Sequence, residues 1–186
     1  MITASEKKRE NIAEYLLYMW QIEDMIRAYG LDLDKIKEGI IDRYQGLDDR
    51  KKKEMTEWYE SLIDMMRRED VVKSGHIQLN KNVIIALDDL HRRLLADSRF
   101  ADYAAEYYRT LPLIVEIRAK AGENKADEIE TCFNALYGIL MLRLKGEEIS
   151  PETQQAVKQI SRFLATLSKY YKKDYNNELF NDEIEL

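Results

Sequence analysis

The chain has 186 residues, 45% of them hydrophobic and 34% charged, with a formal net charge of -6 and a single cysteine, Cys132. That length can bury a sizeable core without metals or disulfides, and a lone cysteine excludes an intrachain bridge. Five acids and no Lys or Arg lie in the closing stretch DYNNELFNDEIEL, so the remainder is near neutral and has little to attract a polyanion.

The opening MITASEKKRE lacks the apolar run of a secretion signal, and no segment approaches the roughly 18 apolar residues of a membrane span. The cytoplasm is the expected setting, with no membrane partner. Helical periodicity predicts an all-α, single-domain bundle of about seven helices over residues 1–173, followed by an acidic tail, 174–186, expected to be mobile. The predicted helices span 5–29, 33–45, 48–70, 81–97, 99–109, 111–121, 126–145 and 151–173. The two pieces flanking Pro112 count together as one broken helix. Gly30, Gly46, Gly75, Gly122 and Gly146 follow periodic runs, where a left-handed C-cap suits glycine; Gly39 and Gly138 fall inside the patterns. Ser150 and Pro151 form an N-cap and first-turn pair.

In the first helix, at about 100° per residue, Ile12, Leu16, Met19 and Ile26 share a face flanked by Tyr15, Ile22 and Trp20. Glu23 falls among them. Leu17, Tyr18 and Met25 cover much of the rest, so this helix is expected at the centre or at an interface. In MTEWYESLIDMMRR, Met55, Trp58, Tyr59, Leu62, Ile63 and Met66 share one face, and Glu57, Glu60, Asp64 and Arg68 the other. GHIQLN, 75–80, has an extended look but is too short for a sheet.

His91 falls between Ile84, Leu87 and Leu95, one turn from Asp88, which is its expected hydrogen-bond partner. Tyr103, Tyr107 and Tyr108 crowd the next segment. In EIETCFNALYGILMLRLKG the inward arc is Ile129, Cys132, Phe133, Leu136, Ile139, Leu140 and Leu144, with Arg143 inside it. Met141 and Leu142 add apolar surface on the outer side, and Gly138 permits close approach of another helix. The last helix carries Val157, Ile160, Leu164, Leu167 and Tyr171 on one face.

A carboxylate in an apolar core needs a partner, and a guanidinium fork fits one well. Glu23 and Arg143 are therefore expected to pair, with Arg27, one turn beyond Glu23, as the competitor. Glu23, Arg143, Arg27, His91 and Asp88 together form the candidate buried polar cluster.

Catalytic motifs are sparse. Two histidines, His76 and His91, fall short of the Glu-x-x-His pairs of a di-metal bundle, and Glu57, Glu60 and Asp64 sit on a solvated helix face without a second acidic cluster to hold magnesium. No glycine-rich phosphate loop occurs, and a Cys132–His91 dyad has no recognisable oxyanion donor. The basic runs EKKRE and RKKKE stand beside acids, and no basic recognition helix stands out. No catalytic residue, cofactor, metal or nucleic-acid partner is assigned.

The expected function is non-enzymatic: a structural or protein-interaction module that self-associates as a homodimer through the first helix or the Gly138 helix. The many tyrosines suit such a surface. The alternative is a small-molecule-binding or hydrolytic enzyme with a polar pocket near Glu23, His91 and Arg143. A pocket of some 300 Å³ or more would distinguish it.

The stretches NIAEYLLYMWQIEDMIRAYG, EWYESLIDMMRRE, NKNVI, LPLIVEIRAKA and EIETCFNALYGILMLRLKGEEISPETQ resemble a family of small bacterial proteins classed only as a domain of unknown function. The resemblance runs from near the start to about Lys173. It implies a cytosolic single domain and brings no functional residue.

Overall fold

A computed structural model describes residues 2–120 and 126–180. Among these the chain is all-α, without a strand, as the periodicity predicts. Its helices are α1 (Ile2–Glu10), α2 (Ile12–Ala28), α3 (Leu33–Ile36), α4 (Asp49–Arg68), α5 (Gln78–Ala96), α6 (Ala101–Lys120), α7 (Glu128–Leu144) and α8 (Pro151–Tyr175). A π-helical turn, Lys37–Ile41, extends α3, and a 3-10 turn, Ser98–Phe100, precedes α6. No helix among the described residues is long and apolar enough to cross a membrane.

Backbone contacts group the chain into two compact units. One holds the described residues up to Lys8 with Glu14–Asn82, the other Arg9–Ala13 with the residues from Val83 onward.

Several boundaries differ from the sequence expectation, each for a local reason. The expected helix 5–29 is two helices. Asn11 Oδ1 accepts the Ala13 N–H at 3.1 Å, so the side chain starts α2 afresh. The expected helix 33–45 stops earlier. Asp32 caps α3, accepting from Asp34 and Lys35, and the turn then widens so that the Asp42 N–H reaches Lys37 O. Gly39 lies in that widened turn against Tyr29. A Cβ on Gly39 would stand 2.6 Å from the Tyr29 hydroxyl.

Pro112 does not break α6, because it sits on the solvated face. The packed face of Tyr103, Glu106, Tyr107, Thr110 and Ile114 runs past it uninterrupted. The carbonyl freed by the missing N–H, that of Tyr108, belongs to a residue 63% exposed, where water can serve it.

Caps behave as predicted at Gly30, where positive φ lets the Leu31 N–H reach back to Ile26 O and end α2. By contrast α4 ends through Asp70, at φ +55°, leaving Gly75 for the following loop. Gly122 lies outside the described residues. GHIQLN is not extended through its length; from Gln78 it is helix α5.

In the first unit α4 buries Met55, Tyr59, Leu62, Ile63 and Met66, with Trp58 half-buried, and exposes Glu57, Glu60, Asp64 and Arg68. In the second unit α6, α7 and α8 pack pairwise. Helix α8 starts at Pro151, with Ser150 Oγ accepting the Thr153 N–H, and runs two residues beyond the expected end. Of the stretch expected as a tail, Asp174 accepts from Arg93 at 3.1 and 2.6 Å, and the Phe180 ring lies 5.5 Å from Phe100. Residues 181–186 lie outside the described residues.

Candidate functional site

The carboxylate aimed at the core belongs to a loop anchor in the first unit. Helix α2 carries Glu23 on its apolar face, as helix phase predicts, and the side chain is completely buried. Its Oε1 accepts the Ile77 N–H and the Asn80 Nδ2–H, each at 2.9 Å. Its Oε2 lies 2.5 Å from His76 Nδ1. A carboxylate has no proton to give, so Nδ1 carries the hydrogen. The imidazole stacks on Trp20 with ring centroids 4.2 Å apart and planes within 10°.

The local reason lies at the start of α5. Residue 77, just before that helix, is isoleucine, which has no side-chain oxygen to accept the orphan N–H groups of the first turn. Glu23 on α2 and Glu69, the residue that closes α4, do so instead, Glu69 accepting the Gln78 N–H. Both also place negative charge at the positive end of the α5 dipole.

Arg27 holds the other side of the loop. It donates to Val71 O at 3.1 Å, to Gly75 O, and to Asp24 at 2.7 Å. The segment 71–77 is thus clamped by a carboxylate and a guanidinium one turn apart on α2.

The expected Glu23–Arg143 pair is therefore replaced. Both Glu23 oxygens are engaged by His76, Ile77 and Asn80, while Arg143 is exposed and lines a groove of about 540 Å³ with Gln154, Gln155, Val157, Lys158 and Ser161. Helix phase gave the right direction for Glu23. For Arg143 it failed because the apolar arc of α7 is covered only through Phe133. Beyond that Leu136, Ile139 and Leu140 are half-buried and Leu144 is 69% exposed. An arginine on that stretch is exposed to water. Arg27 does not compete for Glu23 either.

The second unit contains a different closed cluster. His91, 4% exposed, places Nδ1 2.6 Å from Tyr103 Oη and turns Nε2 toward Glu128 Oε2 at 3.8 Å. The Tyr107 hydroxyl donates to the same Glu128 oxygen at 2.7 Å. The expected His91–Asp88 hydrogen bond is absent from this arrangement, since Asp88 pairs with Arg92, one turn along the same helix. Rings of Tyr103, Tyr107 and Phe163 surround the imidazole, with centroids 5.8, 4.8 and 5.9 Å away.

Cys132 is fully buried, and burial together with the Glu128 charge pushes its thiol up to about 12. With both His91 nitrogens directed at protein groups and the thiol held protonated, the Cys132–His91 dyad lacks an activated nucleophile. Among the described residues no group of three His, Cys, Asp or Glu side chains is placed to hold a metal ion.

A third network, unforeseen in the sequence, ties α6 to α8. Buried Glu106 accepts from Arg109 at 2.8 Å and from Gln159 at 3.0 Å, and Arg162 approaches it to 3.4 Å. Gln159 also donates to Thr110 Oγ1 at 3.0 Å.

Burial lowers the His91 pKa from its ordinary 6.5, against opposing pulls from Glu128 and Asp88. The unfolded chain therefore binds this proton at higher pH than the folded chain. The stability associated with neutral His91 is complete above about 6.5 and falls as pH drops from there through the folded-state value, by at most about 1.4 kcal/mol per unit. Urea denaturation is expected to give a smaller unfolding free energy at pH 5 than at pH 7, and His91→Gln to flatten that dependence. An unchanged slope in the variant would assign it to another group.

These clusters are sealed, whereas the far end of α7 is bare. Leu142 and Leu144 are 40% and 69% exposed, and Leu136, Ile139, Leu140 and Met141 are half-exposed. A Cβ added to Gly138 would meet nothing within 4 Å. A second groove, of about 420 Å³, is lined by residues of 30–33 and of α4, including Asp32, Glu60, Asp64 and Arg67. Neither Glu23 nor His91 lines either groove.

A family model described as a domain of unknown function (DUF4924) matches residues 1–178. No curated protein and no solved structure matches the chain.

Proposed function

The chain belongs to this domain-of-unknown-function family, and we propose that it acts as a non-catalytic helical interaction module that associates with a second copy of itself through the C-terminal half of α7. The supporting observation is the contrast along that one helix. Ile129, Cys132 and Phe133 are fully buried, yet the equally apolar turns that follow are half-exposed or exposed. A helix apolar on all sides is normally covered on all sides, and contiguous exposed apolar surface marks an interaction site. The polar groups that would suit catalysis are closed off from substrate, His91 by aromatic rings and Glu23 by its own hydrogen bonds. A single buried thiol suits a reducing compartment, and the module is read as cytoplasmic.

Light scattering over a dilution series tests this. The wild-type chain is expected to have twice the chain mass at high micromolar concentration. Leu142→Glu combined with Leu144→Glu is expected to give the single-chain mass, with unfolding free energy per chain changed by no more than about 0.5 kcal/mol. A wild type that stays monomeric throughout, or a variant that dimerises equally well, removes the proposal.

A further inference from the structure

We infer that the two copies meet antiparallel, α7 crossing the partner's α7 at Gly138 on a two-fold axis; this rests on the self-association proposed above and specifies its geometry. Gly138 lies in the middle of a helix, where glycine is less stable than alanine. Its φ is not positive, and among the described residues nothing comes within 4 Å of where a Cβ would stand. Close approach by a second backbone supplies the reason that the single chain lacks.

The residues around it are self-complementary in that orientation. Counted at about 100° per residue, Asn134, Ala135, Met141, Leu142 and Lys145 lie within about 60° of Gly138. All of these are exposed or half-exposed, whereas Thr131, about 20° from Gly138 and two turns before it, is buried in its own chain. A two-fold axis at Gly138 sets Met141 of each copy over Ala135 of the other and Leu142 over Asn134. Large then meets small on both sides of the closest approach, as interlocking helix surfaces require.

Charge selects the direction. The first turn of α7 carries Glu128 and Glu130, and its C-terminal end carries Arg143 and Lys145. The same register sets Lys145 of each copy opposite Thr131 of the other, the residue next to Glu130, and antiparallel pairing opposes the two helix dipoles. Parallel pairing would set lysine against lysine and glutamate against glutamate. An isologous contact of this kind closes at two chains.

Disulfide trapping in the full-length chain tests the geometry, since native Cys132 is buried. Asn134→Cys with Leu142→Cys in one chain is expected to give a cross-linked dimer under mild oxidation, and each single variant is not. Cross-linking by either single variant alone indicates parallel pairing and overturns the inference. A wild type that dimerises by light scattering while the double variant never cross-links places the contact elsewhere, overturning the geometry but leaving self-association standing. A wild type that is monomeric sinks both. In addition, Gly138→Leu, whose Cβ would meet no atom of the described residues within 4 Å, is expected to weaken dimerisation at least about tenfold without unfolding the monomer. Unchanged dimerisation in that variant also overturns the inference.

Discussion

Replacing Glu23 with methionine is expected to destabilise the chain by about 3–5 kcal/mol, measured by chemical denaturation. The size follows from what the carboxylate leaves behind. The Ile77 N–H and the Asn80 amide are buried donors with no water to turn to, and each unsatisfied donor costs about 1–3 kcal/mol. Methionine fills similar space, so cavity formation adds little. The start of α5 should fray first, because Ile77 provides no cap of its own. Arg143→Met, by contrast, removes an exposed side chain and should change stability by no more than about 0.5 kcal/mol, additively with Glu23→Met. A Glu23→Met loss below about 1 kcal/mol, or a clear coupling to Arg143, would restore the ion pair that the geometry replaces.

Phe163→Ala is expected to cost about 3–5 kcal/mol in the same measurement. Phe163 is fully buried on α8, and its ring centroid lies 5.9 Å from His91, 5.8 Å from Tyr103 and 6.0 Å from Tyr107. These neighbours come from α5 and α6 and are held by hydrogen bonds to Tyr103 and Glu128, so they have little freedom to collapse into the space. The variant should also be less sensitive to acid. Removing the ring lets water toward the imidazole and relieves the burial that lowers its pKa. A loss near 1 kcal/mol with the wild-type pH slope would show that His91 is insulated by other groups.

What sequence could reveal here divides along physical lines. Helix phase is a local property, and it placed Ile12, Leu16, Met19, Glu23 and Ile26 on the buried face of α2 and Met55, Tyr59, Leu62, Ile63 and Met66 on that of α4. Phase gives a direction around a helix, not whether another element covers that direction. The second half of α7 has the periodicity of a core helix and the exposure of a surface one, and Arg143 went astray with it. The partners of Glu23 were illegible for another reason. His76, Ile77 and Asn80 lie more than fifty residues along the chain in a loop and a helix start, and no spacing rule joins them to α2. The uncapped helix start at Ile77 gave no signal either, because the periodicity placed the start of that helix at 81 rather than at Gln78. The break at Asn11 was missed because the apolar periodicity of 5–29 runs through it, and the side-chain cap on the Ala13 N–H shows only in the folded chain. Pro112 read as a break because its position on the solvated face of α6 cannot be seen without the packing.

Hydrogen exchange followed by mass spectrometry, at protein concentrations spanning the association range, tests the division between sealed polar anchors and an open apolar helix end. Deuterium uptake in peptides covering 136–145 should fall as concentration rises, because those turns are covered only by a second chain. Uptake over 71–80 should stay constant, because Glu23 and Arg27 clamp that loop within one chain. Uptake over 136–145 that does not respond to concentration would contradict the account.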